Sequence, residues 1–458
     1  MSCLTARALG HVLLLLLPIA LAWLLDRAGW SREQVFAAAI LAATALLWVT
    51  EALPLFATAF ISIAAQMFFL ANPAEWPGLG FEQGNGPEPR AFLAAAADPV
   101  LVLFFGGLVL SRAISKTGVD RRIAALVLRP MVATPARMLL GVMLTTAGFS
   151  MLMSNTATTA LMLALIVPIL LQLPRGDPFR KAIILAVPLS ANIAGMATPI
   201  ASPPNAIAVS YLARAGIAIG FVQWMLAAIP LVLVLLIVMW RWLLRCYPPT
   251  AVSWRLDFPE ARLSPTGAWV IAVALITITV WMTEPWHGVP ASVAAVLPVI
   301  FLFTTSVITR EDVNTLDWDV LILIAGGLSL GYSLQVTAVD ERLAAVIPVN
   351  ASDAARLGLV ALATFVLGTF FSNTAIASML MPVAAIAAST GASGLDLTAY
   401  ALTIALVASL SMALPVSTPP NAMAHGTGEV TRSDFLQTAG SIGLAGAALV
   451  VLAFAFVR

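Results

Sequence analysis

Ser-Asn-Thr-Ala at residues 154–157 interrupts an apolar segment, and the same four residues recur at 372–375. Each copy is followed by a second polar interruption, Ser-Pro-Pro-Asn at 202–205 and Thr-Pro-Pro-Asn at 418–421. The spacings agree closely: 218 residues (154 to 372) separate the first pair and 216 residues (205 to 421) separate the asparagines of the second. Hydroxyls, amides and paired prolines are costly inside a bilayer unless they line a cavity. Four such interruptions in two matched pairs predict a central site built by two related halves.

The composition predicts a polytopic integral membrane protein, which we expect in a bacterial inner (plasma) membrane. The chain has 458 residues, of which 61% are hydrophobic and 10% are charged, whereas soluble proteins carry about 25% charged residues. Many apolar segments reach the roughly 20 residues that cross a bilayer. A net charge of +1 and the absence of a basic cluster with aromatic residues predict no nucleic-acid partner. Cys3 and Cys246 are too few for a disulfide framework or a metal site.

Residues 136–172 are apolar at both ends and polar in the middle, where the first Ser-Asn-Thr lies. A continuous helix over this segment would be about 55 Å long, which exceeds the ~30 Å hydrocarbon core. The segment therefore predicts two short helices folded back as a re-entrant hairpin, and residues 354–389 predict a second hairpin. The Pro-Pro-Asn interruptions predict broken helices at 181–213 and 398–426.

The remaining apolar segments predict uninterrupted helices, and two amphipathic segments predict helices at the membrane surface. The uninterrupted helices are expected at 10–26, 33–50, 54–71, 98–117, 221–244, 266–283, 290–307, 318–336 and 433–457, and the surface helices at 119–129 and 338–348. The predicted fold class is an all-α polytopic membrane protein with about 11 transmembrane helices.

Further matches extend the internal repeat, because Trp48 and Trp281 begin related tetrapeptides and Gly-Gly-Leu occurs in both halves. The predicted division is an extra N-terminal transmembrane helix at 1–30, a first repeat at 31–245, a linker at 246–265 and a second repeat at 266–458. Each repeat contains five crossings plus one hairpin. Because five is odd, the second repeat must be inverted relative to the first, as in alternating-access carriers.

Lysine and arginine counts predict the orientation. With the N-terminus in the cytoplasm, 16 basic residues lie on the cytoplasmic side and 7 outside, which together are the 23 of the chain. The C-terminus is then expected outside. The first hairpin is expected to enter from the cytoplasm and the second from the outside.

Each interruption exposes helix ends at membrane depth. A helix that ends there presents free carbonyls, which suit a small cation, and a helix that begins there presents free amides, which suit an anion. None of the four interruptions contains Asp, Glu, Lys or Arg. Because no side chain supplies a fixed charge, a bound anion would gain from a co-bound cation at low dielectric. The four interruptions therefore favour coupled binding of an anion and a cation.

At these residues the sequence resembles the divalent anion/sodium symporter family, whose members carry di- and tricarboxylates, sulfate and, in some branches, phosphate. The resemblance covers essentially the whole chain. Ser-Asn-Thr at 154–156 and 372–374 matches the two hairpin-tip signatures of the family, and Pro-Pro-Asn at 203–205 and 419–421 matches its broken-helix signatures. By position, the resemblance implies the substrate ligands Asn155, Thr156, Ser202, Pro203, Asn373, Thr374, Thr418 and Pro419.

The resemblance also implies two sodium sites, a homodimer and an elevator motion, in which a transport domain of hairpins and broken helices slides against a scaffold. The first sodium site would use Ser150, Ser154, Asn155 and the backbone of Ala201. The second sodium site would use Ser372 and Asn373 with backbone oxygens near Gly368 and Ser417.

The functional expectation is sodium-coupled symport of small divalent anions, with C4-dicarboxylates such as succinate favoured. One departure leaves phosphate, sulfate or sodium-independent exchange open: the first broken helix carries Pro199 and lacks a glycine that many dicarboxylate carriers have there. An enzyme would need a nucleophile with a base or a metal cluster, which three scattered histidines do not suggest. An ion channel is less well supported, because paired hairpins favour occlusion over an open pore.

Overall fold

The computed structural model of the protein describes residues 16–81, 86–250, 263–344, 352–389 and 396–456. Helices and short connections account for these residues, and no strand occurs among them. The expected all-α architecture follows from the long apolar segments, because an α-helix satisfies every backbone hydrogen bond within its own segment.

The first half contains eleven α-helices and three short 3-10 or π segments. The α-helices are α1 (16–27), α2 (Arg32–Thr50), α3 (Leu55–Ala65), α4 (Pro89–Leu93), α5 (Pro99–Thr117), α6 (Val119–Leu128), α7 (Pro135–Ser150), α8 (Asn155–Leu170), α9 (Phe179–Ala194), α10 (Pro203–Arg214) and α11 (Phe221–Cys246). A π segment at Gln66–Leu70 extends α3, and 3-10 turns occupy Ala94–Ala97 and Arg129–Met131.

The second half contains thirteen described α-helices and one π segment. The α-helices are α12 (Pro265–Met282), α13 (Glu284–His287), α14 (Ala291–Ala294), α15 (Val296–Thr304), α16 (Arg310–Asn314), α17 (Trp318–Val336), α18 (Val339–Ala344), α19 (Asp353–Phe370), α20 (Asn373–Ser389), α21 (Leu397–Leu410), α22 (Pro419–Gly426), α23 (Arg432–Phe435) and α24 (Ser441–Phe456). The π segment is Leu436–Gly440.

At each of the four predicted segments the structure has two helices separated by a short break; that the hairpins are re-entrant remains a prediction. Hairpin 1 is α7 and α8, hairpin 2 is α19 and α20, and the broken helices are α9–α10 and α21–α22. Four predictions extend outside the described residues: the N-terminal helix at 10–15, most of the linker, the end of the second surface helix and residue 457. The division into two inverted repeats and the count of about eleven crossings remain predictions.

Seven helical segments among the described residues are long and apolar enough to cross a membrane. They are Arg32–Thr50, Pro89–Thr117, Phe221–Cys246, Pro265–Met282, Trp318–Val336, Asp353–Phe370 and Arg432–Ala455. The broken helices fall short of this length because each polar interruption divides a membrane-length segment in two.

The helices pack as two groups, which we call the core group and the frame group. In the core group, α7 to α11 and α19 to α24 pack on one another, with α9 against α7, α8 and α22, and α21 against α10, α19, α20 and α24. In the frame group, α3 packs against α17, and α5 packs against α12, α14 and α15. Each half therefore contributes helices to both groups.

Within the frame group, close helix packing depends on two glycines at related positions. A Cβ atom at Gly106 of α5 would lie 2.2 Å from the carbonyl oxygen of Ala295, and one at Gly326 of α17 would lie 2.5 Å from Ala59 Cβ. Both glycines thus let helices of opposite halves touch at the backbone, which is a common packing mode in membranes. The sequence favours helix packing over ligand binding for the two Gly-Gly motifs, and these contacts agree with that interpretation.

A buried carboxylate also joins the two halves of the frame group. Asp312 of α16 accepts hydrogen bonds from Arg112 Nε at 3.1 Å and from Lys116 Nζ, both on α5. It also accepts from the backbone nitrogen of Thr309 at 2.9 Å. Although burial raises the pKa of Asp312, these hydrogen bonds outweigh burial and hold that pKa well below its usual range. The carboxylate is therefore ionised and links α16 to the end of α5.

We predict that Gly106→Ala destabilises the protein by about 1–3 kcal/mol, because the added methyl group overpacks the contact with Ala295. Gly107→Ala is the matched control, since its Cβ would lie 3.5 Å from the nearest atom, in Ile200, at an ordinary contact distance. The measurement is thermal unfolding of both purified variants in detergent. Equal melting temperatures for the two variants would contradict the close helix contact at Gly106.

Candidate functional site

The tip of hairpin 1 is held against the first broken helix. Ser154 caps α8, because its Oγ accepts a hydrogen bond from the backbone nitrogen of Ala157 at 3.2 Å. The hydroxyl of Ser150, at the end of α7, contacts Asn155 Oδ1 and donates to the carbonyl oxygen of Ala191 at 2.9 Å. Thr198, in the interruption, donates to the carbonyl oxygen of Met151 at 2.7 Å. The structure thus brings Ser150, Ser154 and Asn155 together at the first tip; their role as sodium ligands remains a prediction.

Hairpin 2 meets the second broken helix in a related way. Ser417 donates to the carbonyl oxygen of Thr369 at 2.6 Å, and Thr369 is the repeat counterpart of Met151 at the spacing of 218 residues. Gly368 packs against Ser411, since a Cβ on Gly368 would lie 2.7 Å from Ser411 Oγ and 3.5 Å from Asn373 Oδ1. Gly368, Asn373 and Ser417 therefore lie around the tip of hairpin 2.

Two asparagines stabilise the interruptions, a role that the sequence analysis did not assign to them. Asn205 Nδ2 donates to the carbonyl oxygens of Gly195 and Thr198, each at 2.8 Å. Asn421 Nδ2 donates to Met412 and Leu414 carbonyl oxygens at 2.8 and 3.0 Å. Paired prolines begin α10 and α22 and remove backbone donors there. Each asparagine donates to carbonyl groups where the preceding helix stops, and the repeated Pro-Pro-Asn is the sequence signal for this role.

The two broken helices also bind each other. Asn192 Nδ2 donates to Thr418 Oγ1 and to Asn421 Oδ1, both at 3.2 Å. In the related contact, the hydroxyls of Ser202 and Ser409 are 3.3 Å apart. In addition, α8 packs against α22, and α20 packs against α10. The beginnings of four helices therefore meet in the middle of the core group.

This arrangement can bind an anion without a basic side chain. The N-termini of α8, α10, α20 and α22 each contribute a partial positive charge near the hairpin tips, and α8 and α20, which do not begin with proline, also present free amide groups. Asn, Ser and Thr side chains add neutral donors. Together the four termini and their side chains suit a small anion that offers several oxygen atoms.

The two tips differ in one serine–glycine pair. At the first tip Ser150 and Gly195 both lie against Asn155, because Ser150 Oγ contacts Asn155 Oδ1 and a Cβ on Gly195 would lie 2.7 Å from Asn155 Nδ2. At the second tip the pair is exchanged, because Gly368 faces Ser411. Ser411 donates to the carbonyl oxygens of Val407 at 2.9 Å and Thr364 at 3.3 Å, and Asn373 Oδ1 is buried without a hydrogen-bond donor among the described residues.

Repeat counterparts also differ in exposure. Ile200 is 8% exposed and packs on Gly107 of the frame group, whereas its counterpart Val416 is 71% exposed. Conversely, Ser378 of α20 is 1% exposed, whereas its counterpart Ala160 of α8 is exposed. The frame group thus covers α20 and the first interruption. The surface of α8 and the second interruption remain open.

The predicted substrate residues therefore occupy two environments. Thr156 and Pro419 are exposed on the open side, while Asn155, Asn373, Thr374 and Pro203 are partly buried. Ser202 and Thr418 are buried at the beginnings of α10 and α22. All eight lie in the hairpin tips or at these helix beginnings. The roles of the eight residues in binding remain predictions.

Comparison with known proteins identifies the family. The sequence model of the family described as "Citrate transporter" (CitMHS) matches residues 45–406. Among curated relatives, an uncharacterized transporter of Haemophilus influenzae is 31% identical, over 87% of this chain and 86% of that protein. The sodium-dependent dicarboxylate transporter SdcS of Staphylococcus saprophyticus is 26% identical, over 93% of this chain and 86% of that protein.

Two fungal relatives are much longer than this chain. The alignment covers 45% of the uncharacterized transporter C3B8.04c of Schizosaccharomyces pombe, at 29% identity and over 85% of this chain. It covers 38% of the inorganic phosphate transporter PHO87 of Saccharomyces cerevisiae, at 27% identity and over 75% of this chain.

A solved structure has the same fold. The YdaH transporter of Alcanivorax borkumensis aligns with a TM-score of 0.56 and 13% identity, over 88% of this chain and 98% of that chain. The predicted fold class, a polytopic all-α transporter, is confirmed by this likeness and by the family match.

We predict that Gly195→Ala lowers uptake of labelled dicarboxylate about tenfold or more, because the new methyl group would displace the Asn155 side chain that it overlaps. The measurement is initial uptake by proteoliposomes, normalised to the amount of folded protein. Gly148→Ala in α7 is the control, since no atom lies within 4 Å of its Cβ position. If Gly195→Ala transports as well as this control, the packing of Asn155 on Gly195 is irrelevant to the site.

Proposed function

The chain belongs to the citrate transporter family, and from this membership we propose that it is a sodium-coupled symporter of small divalent anions, with C4-dicarboxylates such as succinate as preferred substrates. The single observation that carries the proposal is the meeting of four helix N-termini in a region without charged side chains. SdcS, which is named a sodium-dependent dicarboxylate transporter, supports the same substrate class.

The proposed anion site uses Asn155 and Thr156 of hairpin 1 with Asn373 and Thr374 of hairpin 2. Two carboxylates of a C4-dicarboxylate would each face one hairpin tip. Ser202, Pro203, Thr418 and Pro419, at the beginnings of α10 and α22, complete the proposed site. The pseudo-symmetry of the tips suits a substrate with two similar ends, since each tip offers an asparagine amide and a threonine hydroxyl.

The residues at the tips also fit two sodium ions. Sodium prefers oxygen ligands, as do other hard cations, and both tips provide hydroxyl, amide and backbone oxygens. Asn373 Oδ1 is buried and has no donor in the part of the chain that the structure describes, and an unpaired buried acceptor is costly. A cation held by Asn373, Ser372 and backbone oxygens near Gly368 and Ser417 would remove that cost. The other sodium ion would be held by Ser150, Ser154, Asn155 and the backbone of Ala201.

Electrostatics make the coupling physically reasonable. Each helix terminus supplies about half an elementary charge at most, and a dianion at low dielectric needs more compensation than neutral donors give. Two sodium ions beside the same asparagines that bind the anion would supply it. The anion and the cations would then bind with positive cooperativity.

Phosphate is the second candidate substrate. PHO87, a relative of this chain, is named an inorganic phosphate transporter, and the interruption containing Pro199 resembles the branch that includes phosphate carriers. Uptake of labelled succinate, phosphate and sulfate, measured in parallel with and without a sodium gradient, separates these substrates. Sodium-independent exchange would be recognised as uptake that needs no sodium gradient but requires anion inside the proteoliposomes.

The proposed motion is an elevator movement of the core group along the frame group within a homodimer. Four sets of ion pairs support the predicted threading, because each joins residues that this threading places on one side of the membrane. They are Arg112 and Lys116 with Asp312, Arg180 with Glu429, Lys181 with Asp434, and Arg214 with Asp98. With a cytoplasmic N-terminus and an external C-terminus, the open side of the core group faces the cytoplasm.

We predict that sodium raises the affinity for dianion and that dianion raises the affinity for sodium by the same factor, as linkage requires. Ser150→Ala and Ser154→Ala should increase the sodium concentration for half-maximal uptake several-fold, with a smaller change in the maximal rate. The measurement is succinate uptake against sodium concentration, with choline as replacement. Ser433→Ala, at an exposed serine of α23, is the control. Full uptake in choline would eliminate sodium coupling.

We further predict that Asn155→Ala and Asn373→Ala each reduce uptake at least a hundredfold while the protein still folds, because each removes a proposed ligand of both anion and cation. Asn314→Ala, which changes an exposed asparagine at the end of α16, should transport normally. Uptake and size-exclusion profiles are measured for all three variants. Wild-type uptake by either tip variant would show that the proposed site is wrong.

A further inference from the structure

One carboxylate joins the core group to the frame group. Asp98 precedes α5, and its Oδ1 caps that helix by accepting from the backbone nitrogen of Val100 at 3.0 Å. Its other oxygen, Oδ2, accepts from Ser210 Oγ at 2.7 Å and from Arg214 Nε and Nη2 at 3.2 and 3.1 Å. Ser210 and Arg214 lie at the end of α10 in the core group. Asp98 therefore binds two side chains that must move away from it if the core group slides.

Neighbouring contacts further stabilise the docking of α10 at Asp98. Arg214 Nη1 also donates to the carbonyl oxygen of Leu328 in α17, at 3.4 Å. One turn earlier on α10, the ring of Tyr211 lies against Gly331 of α17. The Asp98 side chain is only 10% exposed, whereas that of Arg214 is 30% exposed, so the ion pair is partly shielded and is stronger than a pair on an open surface. The end of α10 is thus docked onto both α5 and α17.

An aspartate, Asp317, also precedes α17, the helix of the second half that corresponds to α5, but it has no such partner. Asp317 precedes α17 as Asp98 precedes α5, but its side chain does not cap that helix. Asp317 is exposed, and among the described residues its side chain has no hydrogen-bond or ion-pair partner. At the spacing of 216 residues, Val430 takes the place of Arg214, and Arg432 follows two residues later with an exposed side chain. Two aspartates therefore precede related helices of the frame group. Asp98 binds side chains of the core group, whereas Asp317 binds none among the described residues.

We propose that Asp98, with Ser210 and Arg214, is an interdomain latch that stabilises the arrangement in which α8 is open and α20 is covered, and that Asp317 is its counterpart for the opposite arrangement, where it binds Arg432. This inference rests on the proposed sliding of the core group and is independent of the substrate and of sodium. Breaking the Asp98 latch shifts the population toward the opposite arrangement, and removing Asp317 shifts it back.

The exposures of residues 200 and 416, which are repeat counterparts, distinguish the two arrangements. In a background with Cys3→Ser and Cys246→Ser, single cysteines are introduced by Val416→Cys, which is exposed in the structure, and by Ile200→Cys, which is covered by Gly107. In the opposite arrangement we expect position 200 to be exposed and position 416 to be covered. The reaction rates of both cysteines with a maleimide are measured on purified full-length protein in detergent, without substrate and without sodium.

Asp98→Asn and Arg214→Gln should each raise the ratio of the Ile200→Cys rate to the Val416→Cys rate about tenfold, the effect expected for losing a partly shielded charge-assisted pair. The double variant should show no larger change than either single variant, because the two side chains act as one unit. Asp317→Asn should lower the ratio. Glu88→Gln is the control, since it removes an exposed ion pair with Arg90 that lies within the frame group.

An unchanged ratio in Asp98→Asn and Arg214→Gln, with melting temperatures near that of the parent, would overturn the latch. A ratio that rises equally in Glu88→Gln would also overturn it, since the effect would then come from general loosening. Failure of the proposed function is separately visible, because a protein without sodium-driven dicarboxylate uptake can still show the exchange of reactivity between the two cysteines.

Discussion

Every peptide group at membrane depth needs a hydrogen-bond partner, and this constraint shapes the middle of the protein. Four helices stop inside the core group, and their ends would be left without partners. Asn205 and Asn421 donate to the carbonyl groups of their own interruptions, while Thr198 and Ser417 bind carbonyl oxygens of the hairpin tips. The polar residues that make these segments look interrupted in the sequence therefore also make the interruptions stable, and they leave four helix N-termini directed at one region.

The two halves of the site are related but not equivalent. At the first tip, the Ser150 hydroxyl contacts Asn155 Oδ1, whereas Asn373 Oδ1 is buried and no residue that the structure describes donates to it. The exchange of the serine–glycine pair causes this difference, because the Ser411 hydroxyl is used by backbone carbonyl groups of α19 and α21. A buried acceptor without a donor raises the free energy of the empty site. In the proposed function, the second cation site would therefore gain more from ion binding than the first.

The frame group breaks the symmetry of the core group. It covers the first interruption through Gly107 and Ile200 and leaves Val416 exposed. In the proposed motion, the matched motifs of the two halves would let the opposite arrangement use similar contacts. The difference in free energy between the two arrangements would then come from the few contacts that one half makes and the other half lacks. The ion pair of Asp98 with Arg214 is one of them, and that difference is the basis of the proposed latch.

The sequence by itself determined the class of protein, the helix boundaries and the positions of the four interruptions, because apolar length and polar residues at membrane depth are local properties. It also placed Ser150, Ser154 and Asn155 at one tip. The tertiary structure alone decided which interruption is covered, which asparagine oxygen has no donor among the described residues, and that Asp98 binds Arg214. Those contacts join residues of different helices, such as Asp98 and Arg214 at 116 positions apart, and their energies depend on how the helices meet, which no local pattern encodes.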